Sequence, residues 1–444
     1  MLQRKQSIFS ERCWLDGKLT PATVTFEDGL ITGIHHKKLA LAINAGDNIL
    51  MPGVIDAHVH INEPGRTSWE GFETATLAAL AGGVTTLTDM PLNAIPVTTN
   101  VPALTEKISS TINKLKVNCG FYGGLVPGNF KELQPLIQAG VMGIKCFLVH
   151  SGIEEFPNVE IKELEEAMPV IAASGLPLLV HCELIQKGDT DQHLFNGSYS
   201  SYVASRPKQW ENKAVALMVD LCRKYKCRTH IVHVSSADAL LIIDNAKKEG
   251  LPITAETCPH YMYFNEETIP DNNTLYKCAP PIRNKENNNL LKLAFTNGVL
   301  DFIASDHSPA PPYLKETASG DLMKAWGGIA GLQFLLSASW TSLKDILPIE
   351  DFIPLLTIAP ARFLSLHHRK GKIVTGFDAD MVVWNPEESF LVTPDQIWHR
   401  HKISPYIGER LSGVVLMTII NGKIAYDNQK PVSGKYGNVL LNKM

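Results

Sequence analysis

The sequence predicts an α/β chain: a (β/α)8 TIM-like barrel with a small β-sandwich domain formed by the N- and C-terminal segments. Eight short apolar runs rich in β-branched residues recur through the middle of the chain. Longer amphipathic stretches separate most of them. The two ends break this rhythm and carry short alternating runs punctuated by Gly and Asp. Short apolar runs of this kind are strands buried on both faces, and helix-length spacers between them require parallel pairing through crossovers. Eight such units close naturally into a barrel.

In chain order, the strands are expected at Gly53–His58, Thr85–Met90, Cys119–Val126, Gly143–Val149, Pro177–Cys182, Thr229–Val234, Ile253–Thr257 and Asp301–Ser305. Apolar spacing places helices over Glu73–Ala81, Thr105–Leu115, Lys162–Ser174, Trp210–Lys226, Ala237–Glu249 and Asn287–Phe295. The catalytic barrel is assigned to residues 51–366, longer than the typical ~250 residues, with the excess in the loops Glu183–Gln209 and Ser308–Trp326. Residues 1–50 and 367–444 form the small β domain. TPATVTFEDGLITGIHH at one end and GKIVTGFDADMVVWNP and GVVLMTIINGKIAYDN at the other alternate like hairpin strands. Chain ends often lie close together, so the two are expected to share one sheet.

Bulk properties narrow the function. The chain has 444 residues, 45% hydrophobic and 19% charged, enough for a large core. The net charge of -4 gives no basic surplus, which disfavours nucleic acid and anionic membranes as partners. No apolar run approaches the ~18 residues of a spanning helix, and MLQRKQSIFSERCW lacks the apolar stretch of a secretory signal. The eight cysteines form no C-x-x-C pair, and several sit in apolar runs as small hydrophobes. A reduced, intracellular, cytoplasmic protein is expected, and paired-cysteine redox chemistry is excluded.

In such barrels chemistry sits at the C-terminal strand ends. The first strand ends in Asp56-Ala57-His58-Val59-His60, the fourth holds Lys145, the fifth ends in His181, the sixth in His233 and the eighth in Asp306. Each has a plain alternative: a core histidine, a helix-capping aspartate, a lysine in a salt bridge or snorkelling to solvent. His58 and His60 point to one side of their strand, which suits chelation. His230, three residues before His233, falls on the opposite face by alternation and is expected to be structural. Lying at corresponding places on separate strands, the five strand ends can converge on one point. Four imidazoles and one carboxylate suit a divalent ion, zinc the commonest, with iron, cobalt or manganese as alternatives. Two ions fit if an anion bridges them. A neutral buried Lys145 amine can take up CO2 and become that anion, a carbamate.

These residues resemble the cyclic-amidohydrolase branch of the metal-dependent amidohydrolase superfamily, and nearly the whole chain is covered. HVHINEPGRTSWEGFETAT, DMPLNAIP, KCFLVHSGIEEFP, SYVASRPKQWE and DLMKAWGGIAGLQ are most similar to the allantoinase family. The resemblance implies a binuclear centre: His58, His60 and Asp306 on one ion, His181 and His233 on the other, N6-carboxylated Lys145 and a hydroxide as bridges. It implies hydrolysis of allantoin to allantoate, with Asp306 as the acid–base group, in a homodimer or homotetramer. Dihydroorotases usually carry an arginine two residues after the second histidine. Here the residue is Asn62, which leaves a substrate carboxylate without a bidentate partner. Asn62, Asn93 and Arg66 are therefore candidate contacts to a neutral substrate, Arg66 ordering its loop through Glu63 or Glu70. Trp69 either covers the mouth or starts the helix. The rivals are another cyclic amidase, such as a dihydroorotase or a dihydropyrimidinase/hydantoinase, and a non-catalytic scaffold on the same barrel.

Overall fold

A computed structural model describes residues 6–185 and 197–442. Residues 186–196 of the expected Glu183–Gln209 loop lie outside the described residues.

Eight barrel strands follow the sequence pattern closely: β1 (Val54–Val59), β2 (Val84–Asp89), β3 (Asn118–Phe121), β4 (Ile144–Phe147), β5 (Leu178–His181), β6 (Thr229–Ile231), β7 (Ile253–Thr257) and β8 (Phe302–Ile303). Nearly every residue in them is buried, as strands covered on both faces must be. Strands β1 to β3 pair in parallel, as do β4 to β8. The short strand Gly123–Gly124, directly after β3, pairs with β4 and joins the two groups. His60 N–H donates to the His307 carbonyl at 2.8 Å beyond the end of β8, which closes the ring.

The chain ends meet in a nine-stranded sheet. Ile49–Pro52 lies inside it, parallel to Gln6–Leu15 on one side and antiparallel to Met381–Leu391 on the other. Ile8, Val24, Phe26, Leu50, Met381 and Ile419 form its apolar core. Gly53 separates this sheet from β1, and the close approach of β2 fixes its identity: a Cβ there would sit 2.1 Å from the Thr85 side chain. The last described residues return to the barrel. Cys119 N–H of β3 donates to the Asn438 carbonyl at 2.9 Å, and Leu440 N–H donates to the Cys119 carbonyl at 2.8 Å.

Helices agree less closely with expectation. The helix expected at Thr105–Leu115 runs from Val101 to Ser110. Asn100 starts it: its side chain accepts the Ala103 N–H at 2.9 Å, and Pro102 occupies the first turn, where its missing N–H costs nothing. Helices Phe130–Gln138 and Ile349–Leu356, not anticipated, each contain a proline that interrupts the helical signature. Leu335–Leu343, also unanticipated, is buried on almost all sides and so shows little amphipathic period. All eight cysteines are free and buried.

Candidate metal centre

The five strand ends do converge. Asp306 Oδ1 lies 3.2 Å from His58 Nε2 and 3.3 Å from His60 Nε2. The donor atoms of His58, His60 and Asp306 all lie within 4.8 Å of one another, a spacing that can hold one ion. His181 Nδ1 faces His233 Nε2 at 3.0 Å, and the His58 and His233 rings are 5.5 Å apart. No helix begins near Asp306, so the capping alternative does not apply.

Backbone geometry explains how residues past the strands reach the centre. Asn62, Asn93, His233 and Asp306 all take positive φ, at 67°, 66°, 40° and 44°. For His233 this corrects the alternation argument. His230 also reaches the interior, where its Nε2 meets Glu256 Oε2 at 3.2 Å and its ring stacks on Phe302. Val232 packs among the interior residues, so continued alternation would turn His233 away. The left-handed turn at His233 brings its ring back. Such conformations cost ~1–3 kcal/mol each and persist where surrounding structure enforces them.

Lys145 is fully buried, and among the described residues its Nζ has no hydrogen-bond partner. Neither the salt bridge nor the snorkelling alternative describes it. It lies 4.9 Å from the Phe147 ring centroid. Burial pushes its ammonium down to about 8, although Asp306 and Glu256 oppose the shift. Its charge in turn bears on His60, His181 and His233. Burial also holds His60 down at about 4 and His233 well below the usual imidazole range. Burial would raise Asp306, but the histidines around it, His58 foremost, more than offset this and hold the carboxyl well below its ordinary value. Neutral imidazoles, an ionised carboxylate and an orphaned amine fit a site for divalent cations.

Two carboxylates at this centre escaped the sequence reading. Glu256 Oε1 lies 2.5 Å from His58 Nδ1, and Glu183 Oε2 lies 2.8 Å from His181 Nε2. Burial would raise Glu256, yet His58 and His230 hold it at about 2. Carboxylates behind ligand histidines fix the ring orientation and tautomer. For Glu256 the available signal was a single charged residue inside a short, mostly buried strand, ITAET.

The substrate candidates line the same mouth. Asn62 Nδ2 donates to the Pro309 carbonyl at 3.1 Å, and Asn93 Nδ2 lies 3.4 Å from His60 Nδ1. Both Oδ1 atoms are buried without a hydrogen-bond partner among the described residues. Contrary to expectation, Arg66 pairs with neither Glu63 nor Glu70: its partner is Glu155 at 2.9 Å, and it covers the Trp69 ring. Glu63 is taken by Lys114 and by the Phe72 N–H, and Glu70 by the Arg400 N–H. The helix begins at Phe72, past Trp69, which instead packs edge-on against Trp326 at 4.9 Å.

Fold and site together define a (β/α)8 barrel whose strand ends can carry divalent metal. Residues 49–425 match the amidohydrolase family, and the chain belongs to it. Within that family it is 42% identical to the allantoinase of Streptomyces avermitilis over 409 residues, 91% of each chain. It is 39% identical to the allantoinase of Saccharomyces cerevisiae over 447 residues, 96% of each. Its fold is similar to that of L-hydantoinase (dihydropyrimidinase) from Arthrobacter aurescens, with a TM-score of 0.92 at 29% identity over 99% of this chain and 100% of that one.

Proposed function

We propose that this protein opens the cyclic amide ring of allantoin to give allantoate at a centre of two divalent metal ions. The observation that carries the reading is its likeness to allantoinases over nine-tenths or more of the chain. His58, His60 and Asp306 would hold one ion, and His181 and His233 the other. Lys145, carboxylated by CO2, would bridge them. The unpartnered Nζ supports this, because only a neutral amine takes up CO2 and burial favours that form. The donor set suits zinc, with iron, cobalt or manganese as substitutes. When bound, such ions supply hydroxide near neutral pH and polarise the scissile carbonyl.

Asp306 accepts the proton released as water attacks and passes it to the departing ring nitrogen. Asn62 and Asn93 each offer a buried acceptor oxygen, which suits the N–H groups of a neutral hydantoin with a ureido arm. Arg66 extends this wall outward, its Nη1 reaching the Asn93 carbonyl at 3.4 Å. No cation stands at position 62 for a substrate carboxylate. The similarity in fold to a hydantoinase (dihydropyrimidinase) makes other hydantoins and dihydropyrimidines the competing substrates. Allantoin, hydantoin, dihydrouracil and dihydroorotate should be compared with and without a chelator, alongside metal quantification. Fastest turnover of allantoin, lost on chelation, is expected. Preference for one of the other rings would overturn the assignment.

A further inference from the structure

The segment Ser201–Glu211 lies outside the catalytic steps above, yet it reaches toward both histidines of one proposed ion. Arg206 Nε donates to Glu183 Oε1 at 3.0 Å, and its Nη2 donates to Oε2. The same Oε2 faces His181 Nε2 at 2.8 Å. Arg206 is itself held: its guanidinium covers the Trp210 ring, and its carbonyl accepts from Arg283 Nη1 at 2.6 Å. Further along, Glu211 accepts the N–H groups of Ser235 and Ser236 at 2.7 and 2.8 Å, just past His233.

A neutral imidazole carries its proton on either nitrogen, and the partner of one nitrogen decides what the other can do. With Nε2–H given to Glu183, the His181 lone pair sits on Nδ1, the atom facing His233 Nε2 at 3.0 Å. His58 is fixed the opposite way, with Nδ1 on Glu256 and Nε2 toward Asp306. The two proposed ions thus have separate anchors, Glu183–Arg206 for one and Glu256–His230 for the other. The two-pronged arginine contact sets the plane of the Glu183 carboxylate and balances its charge where solvent is excluded.

We propose that Arg206 is a positioning residue: acting through Glu183, it locks His181 with Nδ1 aimed at the ion shared with His233, and so sets the affinity of that ion independently of its neighbour. This rests on the two-ion reading above. The test is titration of the metal-free full-length protein with Zn2+ against a competing chelating dye, resolving two binding steps. Arg206→Ala and Glu183→Ala should each weaken one step by roughly 10–100-fold, as loss of a ligand's supporting partner does, and leave the other within about three-fold. Glu183→Gln keeps an oxygen for Nε2–H and should recover most of that loss. Glu256→Ala should weaken the other step. If Arg206→Ala does not fold, Arg206→Lys, which keeps the charge but not the fork, should still show a several-fold loss at the same step. Unchanged binding in the Arg206 variants would overturn the proposal. So would equal weakening of both steps by Glu183→Ala and Glu256→Ala. Wild-type protein binding fewer than two Zn2+ ions would remove the two-ion reading itself.

Discussion

Asp306 is where geometry and chemistry meet most tightly. Its carboxylate touches two imidazoles from a left-handed backbone position that no helix cap requires. Asp306→Asn preserves shape and removes the proton acceptor, so turnover should fall by roughly 10²–10⁴-fold while bound metal, measured by elemental analysis, stays largely intact. Near-normal turnover would remove Asp306 from the acid–base role. Lys145→Ala should lose metal, and a short carboxylic acid added to the assay should partly restore activity by filling the vacated space. Failure of any such rescue would count against a carboxylated side chain. The candidate ligands were legible in the sequence because donor residues at the ends of separate strands have few other reasons to coincide. Glu183 and Glu256 were not, because a carboxylate behind a ligand is defined only by the three-dimensional neighbour it supports. Arg66 and Glu155, 89 residues apart, belong to the same class of tertiary pairing.

Among the elements, strands were easier to read than helices. A strand buried on both faces leaves a continuous apolar run, and each of the eight runs overlaps an observed strand. Helix boundaries depend on single capping residues that apolar spacing does not register. Asn100 is the case in point, and it gives a direct measurement. Asn100→Ala should cost about 1 kcal/mol in urea unfolding, with little effect on turnover, because the helix Val101–Ser110 starts beyond the loop that carries Asn93. A loss several times larger would mean that Asn100 does more than end a helix. Gly53→Ala is the contrasting case. Its Cβ would collide with Thr85 between the sheet and the barrel, so a larger loss of stability is expected there.

For the molecule as a whole, the loop Ser308–Trp326, whose Pro309 carbonyl accepts from Asn62, is tied down by a buried lysine. Lys315 Nζ donates to the carbonyls of Lys277, Trp326 and Gly328 at 3.2, 3.0 and 2.9 Å. Burial pushes this lysine down to about 7 from 10.5. Its folded value lies below its unfolded one, so the unfolded chain binds more protons between those limits and stability should rise with pH across that window. Lys315→Met should lower the melting temperature at neutral pH by removing the lysine donor from the Trp326 and Gly328 carbonyls, since the Lys277 carbonyl keeps the Gly328 N–H, and its melting curve should depend less on pH from 7 to 10 than that of the wild type. An identical pH dependence in both proteins would refute the assignment.

The shared sheet also dictates an order of events during synthesis. Ile49–Pro52 leaves the ribosome early, but one of its flanking partners, Met381–Leu391, emerges more than three hundred residues later. Until then the nascent chain presents an unpaired strand edge, the feature most prone to pairing with the wrong neighbour. Polypeptides halted before Met381 should therefore be the species that holding chaperones retain and that aggregate when those chaperones are depleted.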